Sequence, residues 1–354
     1  MQPDSYPHYM LREIHEEPKA ASDTLNSIMK QSGDIRSFLS NERYEMIYTT
    51  GSGTSYHAGL AGQYAIGTLT KRTVSSIPAS EFRRWLPMLT TKFLLLAFSQ
   101  SGESADVLDA VRAALERDAS ILAITNTPKS SLSKIARYVL LTRAGNELAV
   151  TATKTFVSQL AAVYLLSLEL GIKSSEVEQW RRWLLDVPDL VGKTIKLNAK
   201  LTEELAGKHK DKSIFFVLGS GPNYVTALEG ALKLKEACNV FAEGFASREF
   251  LHGPVQLVNE RTPIVLIVPP HELQGESMSL IKDLKRFKAP LIAVSEEGRG
   301  IENACERLLP IPKGVPEVFS PILNVVPLQL LAYYLSVSRG LNPDKPEKLS
   351  KVVR

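Results

Sequence analysis

Cysteine is nearly absent: Cys238 and Cys305 are the only two in 354 residues. They lie far apart and show no metal-ligand spacing, which excludes a disulfide framework and a cysteine-built zinc site. Such usage predicts a reducing, cytoplasmic setting. A charge excess is missing as well. The formal net charge is only +4, without a basic block, so the chain lacks the electrostatic footprint of a partner for nucleic acid or an anionic membrane. Long apolar runs are also lacking. The longest, around Leu94 and Leu328, read as shorter than the roughly 20 residues that span a bilayer. The opening MQPDSYPHYMLREIHEEP contains no apolar core suited to a secretory leader. No low-complexity tract occurs.

What is present is a hydrophobic fraction of 44%, enough for an ordinary globular interior, in a chain long enough for two domains. EMIYTT (Glu45 to Thr50), FLLLAF (Phe93 to Phe98) and ILAIT (Ile121 to Thr125) read as strands buried on both faces. TSYHAGLAGQYAIGTL and ESADVLDAVRAALER, between them, have helical period. This alternation predicts an α/β fold, a doubly wound parallel sheet flanked by helices. The order then returns: FFVLGSG repeats IYTTGSG, IVLIV repeats LLLAF and LIAVS repeats ILAIT, shifted by 168, 170 and 170 residues. Two related subdomains in tandem follow from this spacing, with chance likeness among aliphatic strands as the alternative. The expected division is an N-terminal helical segment at 1–40, a first subdomain at 41–172, a helical connector at 173–212, a second subdomain at 213–340 and a tail at 341–354.

One turn is chemically odd. The apolar run from Leu94 ends in Ser99-Gln100-Ser101-Gly102-Glu103-Ser104, and a helix pattern follows. Backbone N–H groups at a helix start, with hydroxyls beside them, hold a phosphate without a lysine or arginine. Gly102 would let the backbone come close to such an anion. Plain N-capping explains the same residues equally well. Two further stretches, GSGTSYHAG (Gly51 to Gly59) and VTATKTFVSQL (Val150 to Leu160), are rich in hydroxyls at similar turns, and loops at strand C-termini converge where ligands bind in such folds. Neither GxxxxGK[ST] nor GxGxxG stands at these turns, so a small phosphorylated metabolite is favoured over a nucleotide.

SQSGES, GSGTSYHAG and ALEGALKLKEACNVFAEGFASREFLHGP together resemble the SIS (sugar isomerase) domain family. Within it they are similar to the isomerase half of glucosamine-6-phosphate synthases and to stand-alone glucosamine-6-phosphate deaminases. The likeness runs from HYMLREIHEEP to LSKVV, nearly the whole chain. It implies two tandem SIS subdomains. It also implies that Gly53, Thr54, Ser55, Ser99, Gln100, Ser101 and Ser104 hold the sugar phosphate, Ser104 standing where the synthases usually have threonine. Val150 and Thr153 resemble positions lining the sugar.

The chemistry falls, by the same resemblance, to Glu236 as the base moving a proton between C1 and C2, with Lys233 one turn earlier in the same site. His252 opens the sugar ring from a neighbouring subunit, and Lys351 forms a Schiff base with the open-chain ketose. These roles suit an aldose–ketose interconversion. Read from spacing alone, Glu229, Lys233 and Glu236 also fit a salt-bridged helix face, and Lys351 a solvated tail charge. His57 reads as structural. The synthases carry a glutaminase domain with an N-terminal cysteine. Here Gln2 is second and both cysteines lie in the second subdomain, so glutamine hydrolysis by that route is not expected. The resulting expectation is a homodimeric glucosamine-6-phosphate deaminase with no metal and no organic cofactor. Its rivals are a synthase isomerase component without the glutaminase, a galactosamine-6-phosphate deaminase, a fructosamine-phosphate deglycase and a non-catalytic sugar-phosphate sensor.

Overall fold

Two five-stranded parallel sheets carry the architecture, each with a central strand that is buried along its whole length. The computed structural model describes residues 6–42, 44–89, 92–171, 174–268, 274–298 and 300–352. Gln2, Lys173 and the last two residues of the tail fall outside them. The chain divides into two compact units. The first comprises Glu16–Glu147, Ala152–Pro188 and Ser350–Arg354, and the second Met1–His15, Leu148–Thr151 and Asp189–Leu349.

Helix α1 (Tyr9–Met29) begins in the second unit and enters the first. The first unit continues with α2 (Ser32–Asn41), β1 (Met46–Gly51), α3 (Thr54–Thr70), β2 (Val74–Pro78), α4 (Ala79–Trp85), β3 (Phe93–Ser99), α5 (Ala105–Leu115), β4 (Ser120–Thr125), α6 (Ser131–Ile135), β5 (Tyr138–Leu141) and α7 (Lys154–Leu170). Its sheet order is β2-β1-β3-β4-β5, all parallel. Every residue of β3 is buried, as a strand covered by helices on both faces must be. On one face α5 buries Val107, Leu108, Ala110, Val111, Ala113 and Ala114, the spacing of one helix face. α3 is lined with alanine and glycine because it lies close to its neighbours: a Cβ on Gly62 would stand 2.7 Å from Val163 Cγ2 of α7.

Helix α8 (Ser175–His209) runs from the first unit into the second, the division falling at Pro188 inside it. The second unit contains β6 (Ile214–Gly219), α9 (Asn223–Cys238), β7 (Phe241–Ala246), β8 (Ile264–Ile267), α10 (Gln274–Lys285), β9 (Leu291–Glu296), β10 (Arg307–Ile311) and α11 (Pro321–Ser338). Its order, β10-β9-β8-β6-β7, is the first sheet's order read from the other edge. The repeated spacing in the sequence therefore marks a repeated topology. Among the described residues α11 is the one helix long and apolar enough by composition to cross a membrane, which corrects the shorter run expected around Leu328. Of its 18-residue window, 83% is buried inside the protein.

The repeated Gly-Ser-Gly has a steric cause in both copies. A Cβ on Gly51 would sit 2.7 Å from the Ser55 carbonyl carbon, and one on Gly219 would sit 2.1 Å from the Asn223 carbonyl oxygen. Gly53 and Gly221 then take φ of +53° and +55°, a region closed to most side chains. The first glycine lets the helix start pack on the strand end, and the second turns the chain.

Candidate functional site

In the first sheet β1 leads outward to β2 on one side and pairs with β3 on the other. The order reverses there, the place at the strand C-termini where open parallel sheets take their ligands. Both hydroxyl-rich turns stand at this switch: Gly53, Thr54 and Ser55 follow β1, while Ser99 ends β3 and Gln100, Ser101 and Ser104 follow it.

The β3 turn is held by its own hydroxyls. Ser99 Oγ accepts from the Gly102 N–H at 3.0 Å, and Ser101 Oγ from the Glu103 N–H at 3.1 Å. The Gln100 carbonyl accepts the Asn126 N–H at 3.1 Å, and Glu103 Oε1 takes the Ser131 N–H at 2.8 Å. Ser104 is the N-cap residue of α5, yet its side chain makes no capping hydrogen bond, so capping does not account for this hydroxyl. Gly102 is also read differently. A Cβ there would sit 2.2 Å from Ser130 Oγ at a φ of +68°, so its missing side chain makes room for Ser130 rather than for an anion. After β1, Ser55 Oγ accepts from Gln159 Nε2 of α7 at 3.0 Å. Gln159 escaped the sequence reading, although the hydroxyl-rich stretch that contains it was singled out.

The tail brings Lys351 into the same unit. Its Nζ donates to Glu147 Oε2 at 2.7 Å, and the Glu147 side chain is fully buried. Glu147 Oε1 accepts the N–H groups of Thr153 and Thr155 at 3.0 and 3.1 Å, and Oε2 accepts the Thr155 hydroxyl at 2.8 Å. Burial pushes this carboxyl up, but the Lys351 ammonium and these donors outweigh it and hold Glu147 below the usual carboxylate range. Glu147 was missed from sequence because a glutamate in AGNELAV carries no spacing signal. Lys351 is thus a paired, three-quarters-buried cation rather than a solvated one. Val150 belongs to the second unit, where its N–H donates to the Asp344 carbonyl at 3.0 Å.

The remaining candidates are also in the second unit. On α9, Lys233 is fully buried between Glu229 Oε1 at 3.2 Å and Glu236 Oε2 at 2.6 Å. Burial works against its charge, but the two carboxylates outweigh burial and hold the ammonium above the ordinary lysine value. A lysine so held is a fixed cation that aims the Glu236 carboxylate. Glu236 keeps about a fifth of its side chain exposed, whereas Glu229 exposes none. His252 is exposed just after the turn Glu249–Leu251. Glu236 precedes β7 and His252 follows it, so a six-residue strand of about 20 Å lies between their chain positions.

The second copy's turn has different chemistry. Where the first has Thr54 and Ser55, the second has Pro222 and Asn223. Proline donates no N–H. Buried Asn223 gives its amide to Ser320 Oγ at 2.8 Å and accepts from Asn324 at 2.7 Å. Neither cysteine is poised as a nucleophile, since burial pushes the Cys238 thiol up to about 12 and raises Cys305 as well. Among the described residues no group of three or more acidic, histidine or cysteine side chains is placed to hold a metal ion.

Comparison with known proteins agrees with the two-sheet fold. The SIS domain family model matches residues 39–168 and 209–339, one match over each sheet. Glutamine–fructose-6-phosphate aminotransferase (isomerizing) of Clostridium tetani is 39% identical over 98% of this chain, and the chain spans 59% of that relative's length. The C-terminal domain of glucosamine-fructose-6-phosphate aminotransferase from Francisella tularensis superposes with a TM-score of 0.87 at 29% identity, covering 98% of this chain and 100% of that one. Glucosamine-6-phosphate deaminase from Thermotoga maritima does so with a TM-score of 0.81 at 25% identity, covering 98% and 99%. Two parallel sheets of one topology and a family-model match over each lead to one conclusion: the chain belongs to the SIS domain family.

Proposed function

We propose that this chain is an aldose–ketose isomerase of phosphorylated sugars whose substrate is glucosamine 6-phosphate, released as fructose 6-phosphate and ammonia. The observation that carries the reading is the switch in strand order between β1 and β3, flanked by two hydroxyl-rich turns in the unit where Lys351 is anchored on Glu147. Backbone N–H groups and the hydroxyls of Ser55, Ser99, Ser101 and Ser104 hold the phosphate, with Gly53, Thr54 and Gln100 completing the turns. Val150 and Thr153 line the sugar. After ring opening, Glu236 takes the proton from C2 and returns it to C1, leaving an imine at C2. The Lys351 amine adds to that carbon, ammonia departs, and water hydrolyses the resulting iminium to the ketose. Lys233 keeps the Glu236 carboxylate aimed.

Ring opening falls to His252 of the partner subunit in a homodimer. That assignment rests on the family resemblance carried by FLHGP. Co-expression of Glu236→Gln with His252→Ala is expected to restore part of the activity that each variant lacks alone. No recovery would remove the shared site.

The direct test follows ammonia and fructose 6-phosphate together from glucosamine 6-phosphate, with galactosamine 6-phosphate in parallel. Equal release of both products from the gluco substrate is expected. A second reading, the isomerase part of an aminotransferase, is favoured by the 39% identity to the clostridial relative. It predicts that both amino sugars stay intact while fructose 6-phosphate is interconverted with glucose 6-phosphate.

A further inference from the structure

Glu147 is a buried carboxylate to which the reaction outlined above gives no task, and each of its oxygens is held by two donors. Its two oxygens together accept two backbone N–H groups, one hydroxyl and the Lys351 ammonium. The backbone donors belong to Thr153 and Thr155 at the start of α7, so the carboxylate is fixed to a helix rather than to a loose loop. The other cation of this stretch, Lys154, is committed elsewhere, to Glu16 and the Asn146 carbonyl, each at 2.6 Å. The remaining contact of the carboxylate therefore goes to Lys351.

We propose that Glu147 is a positioning residue that presents the Lys351 amine to C2 of the bound sugar and takes the proton this amine must lose before it attacks. This rests on the Schiff-base reading of Lys351. An ammonium has no lone pair, so attack requires one proton to leave Nζ, and Glu147 Oε2, 2.7 Å away and ionised at rest, takes it as the Nζ–C2 bond forms. With a ketose, the C2 oxygen takes up the charge as an alkoxide. Two protons, the one stored on Glu147 and the second one from Nζ, move to that oxygen. The C2–O bond breaks and water leaves. The nitrogen keeps one proton in a cationic iminium beside the regenerated carboxylate, so atoms and charge balance. Fixing the nucleophile in this way also restricts where it stands, and small misplacements of reacting groups are costly.

The test uses the full chain, fructose 6-phosphate and borohydride, with the reduced adduct located by peptide mass spectrometry. Wild type is expected to carry the adduct on Lys351. Glu147→Gln, which keeps the size and loses the charge, is expected to trap about 100-fold more slowly, while KM for glucosamine 6-phosphate stays within about twofold because the phosphate turns are untouched. Thr155→Val removes one donor to the carboxylate and leaves the charge. It serves if Glu147→Gln fails to fold, and it is expected to slow trapping about tenfold with the same unchanged KM. Adduct formation in both variants at the wild-type rate overturns the role of Glu147 and leaves the Schiff base standing. A rise in KM at an unchanged trapping rate also overturns it. Failure of wild type to form the adduct at all removes the Schiff base, and the role of Glu147 with it.

Discussion

A lysine between two carboxylates, at i−4 and i+3, is buried in the second unit. Lys233 exposes none of its surface, and Glu229 exposes none either. Its pKa in the fold lies above the ordinary 10.5, so its pairing contributes in full below that value and is lost only as the pH climbs through the raised one. Lys233→Met leaves Glu229 buried without its cation, a change worth about 3–5 kcal/mol. The cost falls in acid, because a buried carboxylate stripped of its partner takes up a proton more readily. Urea unfolding of wild type and Lys233→Met at pH 5 and pH 8 is expected to show the wider gap at pH 8. An equal gap at both would mean that Glu229 is paired or solvated in another way. The helical spacing of these three residues was legible in the sequence, but their burial was not. An ion-paired solvent face and a buried charged triad share one pattern, and only the packing of α9 separates them. Glu147 was hidden for the reverse reason: its partners Thr153, Thr155 and Lys351 share no periodicity with it.

At the scale of elements, strands were the easiest to read. A parallel strand covered on both faces is an uninterrupted apolar run, and Phe93 to Phe98 is such a run. What joins elements far apart in the chain leaves no such trace. Helix α1 starts with two backbone N–H groups held from the tail: Asp344 Oδ2 accepts from Tyr9 and Oδ1 from Met10, at 2.9 and 2.7 Å. An aspartate capping a helix from more than 330 positions away is invisible to any local reading, and in GLNPDKPEK it looks like a turn residue. Asp344→Ala is expected to cost about 1–2 kcal/mol in equilibrium unfolding, the loss typical of a cap carboxylate, and Asp344→Asn, which keeps an oxygen acceptor, about half of that. If the alanine variant unfolded like wild type, the start of α1 would draw on other acceptors.

Duplication makes the whole molecule a natural control on its own site. Both copies keep the strand order and the Gly-Ser-Gly turn, so the glycines answer to backbone geometry common to both and not to the ligand. The copies part at the next two residues. Thr54 and Ser55 leave a hydroxyl-lined turn, whereas Pro222 and Asn223 remove a donor and commit the other side chain to Ser320 and Asn324. The repeat was legible as an offset, and the different chemistry of its two turns was not, because a single sequence does not say which copy's turn is hydrogen-bonded to α11. The asymmetry sets the binding stoichiometry. Titration calorimetry with fructose 6-phosphate is expected to give one site per chain, and Ser101→Ala is expected to weaken it by about tenfold, the loss of roughly one charge-assisted hydrogen bond. Asn223→Ala opens space in the second copy without supplying the missing N–H or hydroxyls, so the count stays at one. Two sites per chain in wild type would mean that the second copy binds as well, and a Ser101→Ala variant with undiminished affinity would mean that the phosphate is held away from the β1–β3 turns.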